Sequence, residues 1–382
     1  MHPIYLDHNA TTPLLPEAWD AMQAATVGAF GNPSSAHHAG RAARKALEDA
    51  RERVAARLGA SPDEVTFTSG ATEANNLAVF GLVGPVGGHI LSSPLEHPCV
   101  IEPLRQLEQR GCAVEWLPVS ASGVVQADCE APRLRPDTRL VSIMLVNHET
   151  GAVQPVREIA AVLSPQIPVH TDAAQAVGKM PVDFRGLGVA ALTASAHKFR
   201  GPKGIGVLIL KRGTPFRPMM FGGHQQHGRR PGTEPVPLAV GMAAALKHAI
   251  ANMTASRARL ESLCQRFRER VAAVAAPVVW NGPELGSLEH IPTTLNVSFP
   301  GCRADLLLVA LDLAGVACST GSACSSGSLL PSPVLRAMGV PDEVLRSAIR
   351  FSFGPTLADA DIDEAAGRIG DAVLRLRERG SG

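Results

Sequence analysis

Val65-Thr66-Phe67-Thr68-Ser69-Gly70-Ala71-Thr72-Glu73 reads as a strand that runs without a linker into the start of a helix. The β-branched and aromatic residues at 65–68 favour extended backbone. The helical stretch then continues from Glu73 to Val83. Small residues at 69–72 leave backbone N–H groups open at a helix N-terminus, a ready site for a phosphate. It is not a Walker A loop, because no lysine follows the glycine at the required place.

On the upstream side, Ala39, Ala43, Leu47, Ala50, Val54 and Leu58 recur at helical spacing, with Ser34 and Ser35 as caps and Gly59 as the stop. Downstream, short apolar runs at 89–92, 140–146, 167–170, 189–194 and 205–210 alternate with helical or loop stretches such as 98–110 and 156–163. That rhythm predicts an α/β fold with a largely parallel sheet covered on both faces. An alanine-rich helical stretch at 236–275 bridges to a second unit, with strands at 295–299 and 349–353 and helices at 304–313 and 358–378.

A chain of 382 residues is too long for one small core. Apolar content of 45% and charged content of 19% are ordinary for a soluble globular protein. A net charge of +1 gives no electrostatic reason to expect nucleic acid or a membrane surface. No apolar run approaches the roughly 20 residues that span a bilayer. The first residues lack the basic start and apolar stretch of a signal peptide, so a cytoplasmic location is expected. The seven cysteines show no CxxC spacing, which argues against a zinc site or a disulfide framework. Most fit as small buried hydrophobes. Cys324 differs: it lies in Ser319-Thr320-Gly321-Ser322-Ala323-Cys324-Ser325-Ser326-Gly327-Ser328, whose small polar residues predict an exposed loop.

Two segments carry the chemistry. Lys198 lies in Ser195-Ala196-His197-Lys198, and Asp172 in His170-Thr171-Asp172-Ala173-Ala174-Gln175. A lysine that forms a Schiff base and an aspartate that keeps a pyridine nitrogen protonated are the parts of a pyridoxal phosphate site. Either residue alone fits equally a surface loop or a strand end. Ser195 and His197 can donate to the phosphate at Ser69–Thr72. Glu96-His97-Pro98, Asn147 and Gln175 occupy further positions at the presumed carboxyl edge of the sheet, where ligands bind in such folds.

With these motifs in order, the chain resembles the cysteine desulfurases of the NifS/IscS type, class-V aminotransferase relatives of pyridoxal phosphate fold type I. The likeness runs almost end to end, through Tyr5-Leu6-Asp7-His8-Asn9-Ala10-Thr11-Thr12, Gly31-Asn32-Pro33-Ser34-Ser35, Thr68–Asn76, Glu96-His97-Pro98, Asn147-His148-Glu149-Thr150-Gly151, Asp172–Gln175, Ser195–Lys198, Gly222–Thr233 and Ser322-Ala323-Cys324. The resemblance implies a large domain at 15–255 with a mainly parallel seven-stranded sheet. It implies a smaller α+β domain from 1–14 and 256–382 that carries Cys324.

It further implies Lys198 as the Schiff-base lysine, Asp172 as the pyridinium partner, Gln175 at the ring oxygen and His97 stacked on the ring. Ala71, Thr72, Ser195 and His197 would hold the phosphate, and Thr233 would reach the phosphate of a neighbouring subunit in a homodimer. Asn147 would contact cofactor and substrate, and Asn147 with Arg350 would grip the carboxylate of L-cysteine. Cys324 would take the sulfur as a persulfide, for delivery to acceptors such as an iron–sulfur scaffold protein. His97 would act in proton transfer. No resident metal is implied beyond a passing contact of Cys324 with an iron–sulfur cluster. Two departures stand out: Arg230-Pro231-Gly232-Thr233 replaces the usual Arg-Ser-Gly-Thr, and Ser325-Ser326 follows Cys324 where Thr-Ser is more usual. Residues up to Lys198 would equally suit an aminotransferase or a selenocysteine lyase of the same fold. Cys324 is what separates the desulfurase from a transaminase.

Overall fold

The computed structural model describes residues 2–85, 87–126, 133–321 and 331–380. Its strands are β1 (Ile4–Tyr5), β2 (Val65–Thr68), β3 (His89–Ser92), β4 (Ala113–Trp116), β5 (Thr138–Ser142), β6 (Val169–Asp172), β7 (Ala191–Ser195), β8 (Gly206–Leu210), β9 (Val279–Asn281), β10 (Thr294–Ser298), β11 (Val316–Ala317) and β12 (Ala348–Ser352). The helices are α1 (Pro16–Gly28), α2 (His38–Arg57), α3 (Ala71–Val83), α4 (Pro98–Gln109), α5 (Val156–Val162), α6 (Phe184–Leu187), α7 (Val236–Ala251), α8 (Met253–Ala275), α9 (Ala304–Leu313), α10 (Pro333–Ala337), α11 (Asp342–Leu345) and α12 (Asp359–Gly380).

Seven strands form the main sheet in the order β2-β8-β7-β6-β5-β3-β4. All neighbours pair in parallel except β8, which is antiparallel to both β2 and β7. Because β8 is reversed between them, β2 runs the same way as β7 and the strands beyond. The carboxyl ends of β2, β3, β5, β6 and β7 therefore reach one edge of the sheet.

Residues alternate between two apolar cores along each strand. Phe67, Leu91, Val141, Leu192 and Val207 face a core shared with α1, α2 and α7, while Ile90, Leu140, Ala191 and Leu208 face α3 and α4. This double burial explains why the strands read as continuous apolar runs. A third core joins Ile4 and Leu6 to α8, β10, α9, β12 and α12. There β10 lies between β12 and β9, antiparallel to both.

Three local expectations need correction. The stretch at 236–275 is two helices bent by 69°, because the Asn252 amide donates back to His248 O at 2.9 Å and competes with the helical ladder. The cap of α2 is His37, whose ring accepts from Gly40 N, while Ser34 N is drawn off to Asn32 Oδ1 at 2.9 Å. The strand at 140–146 is regular only to Ser142. Ile143 N and Leu145 N nevertheless still donate to His170 O and Asp172 O, extending the ladder toward Asn147.

Candidate active site

Five strand ends meet around a cavity of about 510 Å³ lined by Ala71, Thr72, His97, Asp172, Gln175, Ser195, His197 and Lys198, with Lys203, Cys99 and His148 beside them. Eight of the expected cofactor residues, scattered from 71 to 198, thus share one wall.

Lys198 sits on the tight connection between β7 and β8, and its Nζ donates to Asn9 O at 2.6 Å and Ala10 O at 3.0 Å. Asp172 ends β6. Its Oδ1 accepts from Ala174 N at 2.9 Å, and its Oδ2 from Asn75 Nδ2 at 2.8 Å. Asn75 is fully buried on α3 and is itself oriented by the Thr193 hydroxyl. Both carboxylate oxygens are thereby held in place by N–H donors.

The phosphate cradle follows from close backbone approach. A Cβ on Gly206 would fall 2.7–2.8 Å from the backbone of Gly70, so only glycine lets β8 pass under this loop. The open N-terminus of α3, with Thr72, Ser195 and His197 around it, is rich in donors. Burial, then the charges of Lys198, Lys203 and Lys179, lower His197 to about 4. Behind the loop, Glu73 accepts from Ser69 N at 2.6 Å and pairs with Arg230 at 2.7 Å. Burial opposes ionisation of this carboxyl, but Arg230 and Ser69 hold it below the usual carboxylate range.

This donor set fits pyridoxal phosphate. Helix N–H groups and hydroxyls suit the phosphate, the Asp172 carboxylate suits a pyridinium N–H, and the Lys198 amine suits an aldehyde.

His97 caps α4, its Nδ1 accepting from Cys99 N at 3.1 Å, which leaves the proton of the neutral ring on Nε2. Burial chiefly lowers its pKa, opposed by Asp172 and assisted by Lys198 and Arg350. His148 meets the His97 ring edge-on at 5.1 Å between centroids, and its own pKa is driven far down by burial and then by His97. Glu96 is buried with Oε1 on Met144 N at 2.6 Å, and burial keeps this carboxyl well above the usual range. Burial likewise raises Glu149 to about 7, against the Ser332 hydroxyl and Arg350.

Not every expected residue reaches the cavity wall. The Asn147 amide is spent internally: Oδ1 accepts from Glu149 N and Thr150 N at 2.9 Å each, and Nδ2 donates to Leu95 O at 3.0 Å. The turn this makes presents His148 instead. Arg350 is buried beside it, paired with Asp7 at 2.7 Å and donating to His148 O at 3.2 Å. Thr233 is exposed and does not line the cavity. Cys324 lies outside the described residues. The Cys318 thiol is driven far up by burial, so it is a poor nucleophile. Sequence reasoning missed Asn9, Asn75, Lys179 and His148. Asn9, Asn75 and His148 lie inside the quoted motifs, but nothing local tells which polar side chain turns inward.

A fold of this kind, with a lysine on the β7–β8 connection facing a buried aspartate across a phosphate cradle, defines a pyridoxal phosphate enzyme. The class-V aminotransferase family profile matches residues 4–364. Cysteine desulfurase IscS of Dictyoglomus turgidum is 42% identical over 98% of this chain and 95% of its own length. The human cysteine desulfurase is 40% identical, over 99% of this chain and 83% of its own length. Among solved structures, a NifS-like protein superposes with a TM-score of 0.91 at 33% identity, covering 98% of this chain and all of its own. Another, SspA in complex with cysteine, reaches 0.79 at 34% identity over 93% of this chain and 100% of its own. The chain belongs to the cysteine desulfurase branch of the class-V aminotransferase family.

Proposed function

We propose that this protein is a pyridoxal phosphate-dependent cysteine desulfurase that takes sulfur from L-cysteine, releases L-alanine and carries the sulfur on Cys324. The observation that carries the reading is the convergence of Lys198, the doubly held Asp172 and the α3 N-terminus on one cavity. The bound cofactor supplies an electron sink that weakens the bonds at the amino-acid Cα. Lys198 would anchor it, and the same amine is the base placed to move the Cα proton. Asp172, oriented by Asn75 Nδ2 and Ala174 N, would be the acceptor for the ring nitrogen. Thr72, Ser195 and His197 hold the phosphate.

The buried Arg350, steadied by Asp7, is the fixed guanidinium suited to a substrate carboxylate. Asn147 acts through the turn that places His148 and the Arg350 contact. His97 stacks on the ring. With Nδ1 committed to Cys99 N, it offers a proton from Nε2, and it takes one there only after a change of tautomer. We read the protein as a cytoplasmic homodimer in which Thr233 completes the partner's phosphate site. Its large domain would be 15–255 and its small domain 1–14 with 256–382. Sulfur would pass from Cys324 to an acceptor protein such as an iron–sulfur scaffold.

The test is a brief incubation with L-cysteine, followed by alanine quantification and peptide mass spectrometry. Alanine equimolar with released or bound sulfur, and an extra sulfur on the Cys324 peptide, are expected. Cys324→Ala should keep the cofactor's visible band and lose sulfur delivery. Sulfur found on Cys318, or full delivery by Cys324→Ala, refutes the assignment.

A further inference from the structure

Lys179 is a half-buried cation with no part in the reaction as derived so far. It lies four residues after Gln175 in a run of turns, and its Nζ donates to Gln175 Oε1 at 2.5 Å and to Asn9 Oδ1 at 3.2 Å. Gln175 in turn donates through Nε2 to Asn9 O at 3.1 Å, the same carbonyl that accepts from Lys198 at 2.6 Å. A glutamine amide can show a ligand either its oxygen or its nitrogen. Here the choice is forced from both sides. An ammonium has donors only, so it must meet Oε1, and a carbonyl is an acceptor only, so it must meet Nε2. Gln175 lines the cavity, and with Nε2 on the Asn9 carbonyl its second N–H is the one donor it has left to offer.

We propose that Lys179 is a positioning residue that locks the polarity of the Gln175 amide, so that Gln175 meets the cofactor only as an N–H donor and selects an anionic ring oxygen. The inference rests on the pyridoxal phosphate reading of the site. Burial, then the charges of Lys198 and Arg350, bring Lys179 down to about 7. His8 stands near it and is itself lowered to about 4, mainly by burial. Negative charge on a bound cofactor restores the ammonium form. The lock thus holds most firmly when the cofactor is present.

The experiment is a pH titration of the visible band of the holoenzyme. Both the Gln175 N–H and the Lys179 charge favour loss of the proton from the cofactor–lysine linkage, so removing either raises the midpoint. Lys179→Met should raise it by about one pH unit. Gln175→Ala should do the same, and the double variant should shift by clearly less than the sum, because Lys179 acts through Gln175. Lys179→Arg, still a pure donor, should keep the wild-type midpoint, and it carries the test if the Met variant does not fold. An unchanged midpoint in Lys179→Met, full additivity in the double variant, or an Arg variant shifted like Met would each overturn the proposal. A wild-type protein that gains no visible band with pyridoxal phosphate would instead refute the cofactor reading itself.

Discussion

Asp172 and Glu96 are both buried carboxyls, one ending a parallel strand and the other just past one, yet their surroundings treat them oppositely. Asp172 has a donor on each oxygen. Glu96 has one donor, on Oε1, while Oε2 has no hydrogen-bond partner among the described residues. The same holds for His148 Nδ1 and Arg350 Nε, which lie on the same flank of the site. At the β6 end one carboxylate is oriented by an N–H donor on each oxygen. The 95–97 and 147–150 turns, with Arg350, hold polar groups whose partners are incomplete, and Glu149 sits at a pKa of about 7. The contrast separates the carboxylate held on both oxygens from the side of the cavity to which the proposed function assigns substrate and protons.

The comparison can be broken at its proton-sensitive side first. A carboxyl raised from 4.5 to about 7 on folding adds no penalty below pH 4.5 and a growing one as pH climbs through 7. Glu149→Gln should therefore gain on the wild type between pH 4.5 and 8, by about 3 kcal/mol. Denaturant melts of both proteins across that range check it. A pH-independent difference would mean that Glu149 is ionised throughout.

On the fixed side, Asn75→Ala removes one of the two N–H donors to Asp172 and strands the Thr193 hydroxyl. Loss of such a supporting bond should weaken cofactor affinity about tenfold to a hundredfold, with the protein still folded. Titration of apo-protein with pyridoxal phosphate, followed by the visible band, measures it. Wild-type affinity would show that Ala174 N alone suffices.

The smallest effect belongs to a group outside both regions. Cys318 packs against the small core at the edge of the Cys324 segment, and its thiol is raised by burial. Cys318→Ala should cost about 1 kcal/mol of stability and leave turnover unchanged. A loss of turnover would make it part of the sulfur path.

The rhythm of strands and helices was legible because double burial makes strands read as uninterrupted apolar runs, and because Gly70-Ala71-Thr72 must lie where a strand becomes a helix. The wall residues could be named for a related reason: Asp172 and Ser195 end strands, and the others follow strand ends within a few residues at one edge. The reversal of β8 was not legible, since Gly206–Leu210 reads the same in either direction. Nor were the supporting contacts. Asn75 meets Asp172 and Lys179 meets Asn9 across 97 and 170 positions of sequence, and only the folded chain decides which of many polar side chains are paired. The cap at His37 and the break at Asn252 were missed because one side chain–backbone bond outweighs an apolar period.

The central claim is that Lys198, and no other lysine, carries the cofactor. Lys203 lines the same cavity and Lys179 lies behind it, so the claim has real competitors. Borohydride reduction of the holoenzyme followed by peptide mapping decides among them. The account predicts the pyridoxyl label on the peptide containing Lys198, and on none of that label in Lys198→Ala; label on Lys203 or Lys179 in the wild-type protein would contradict it.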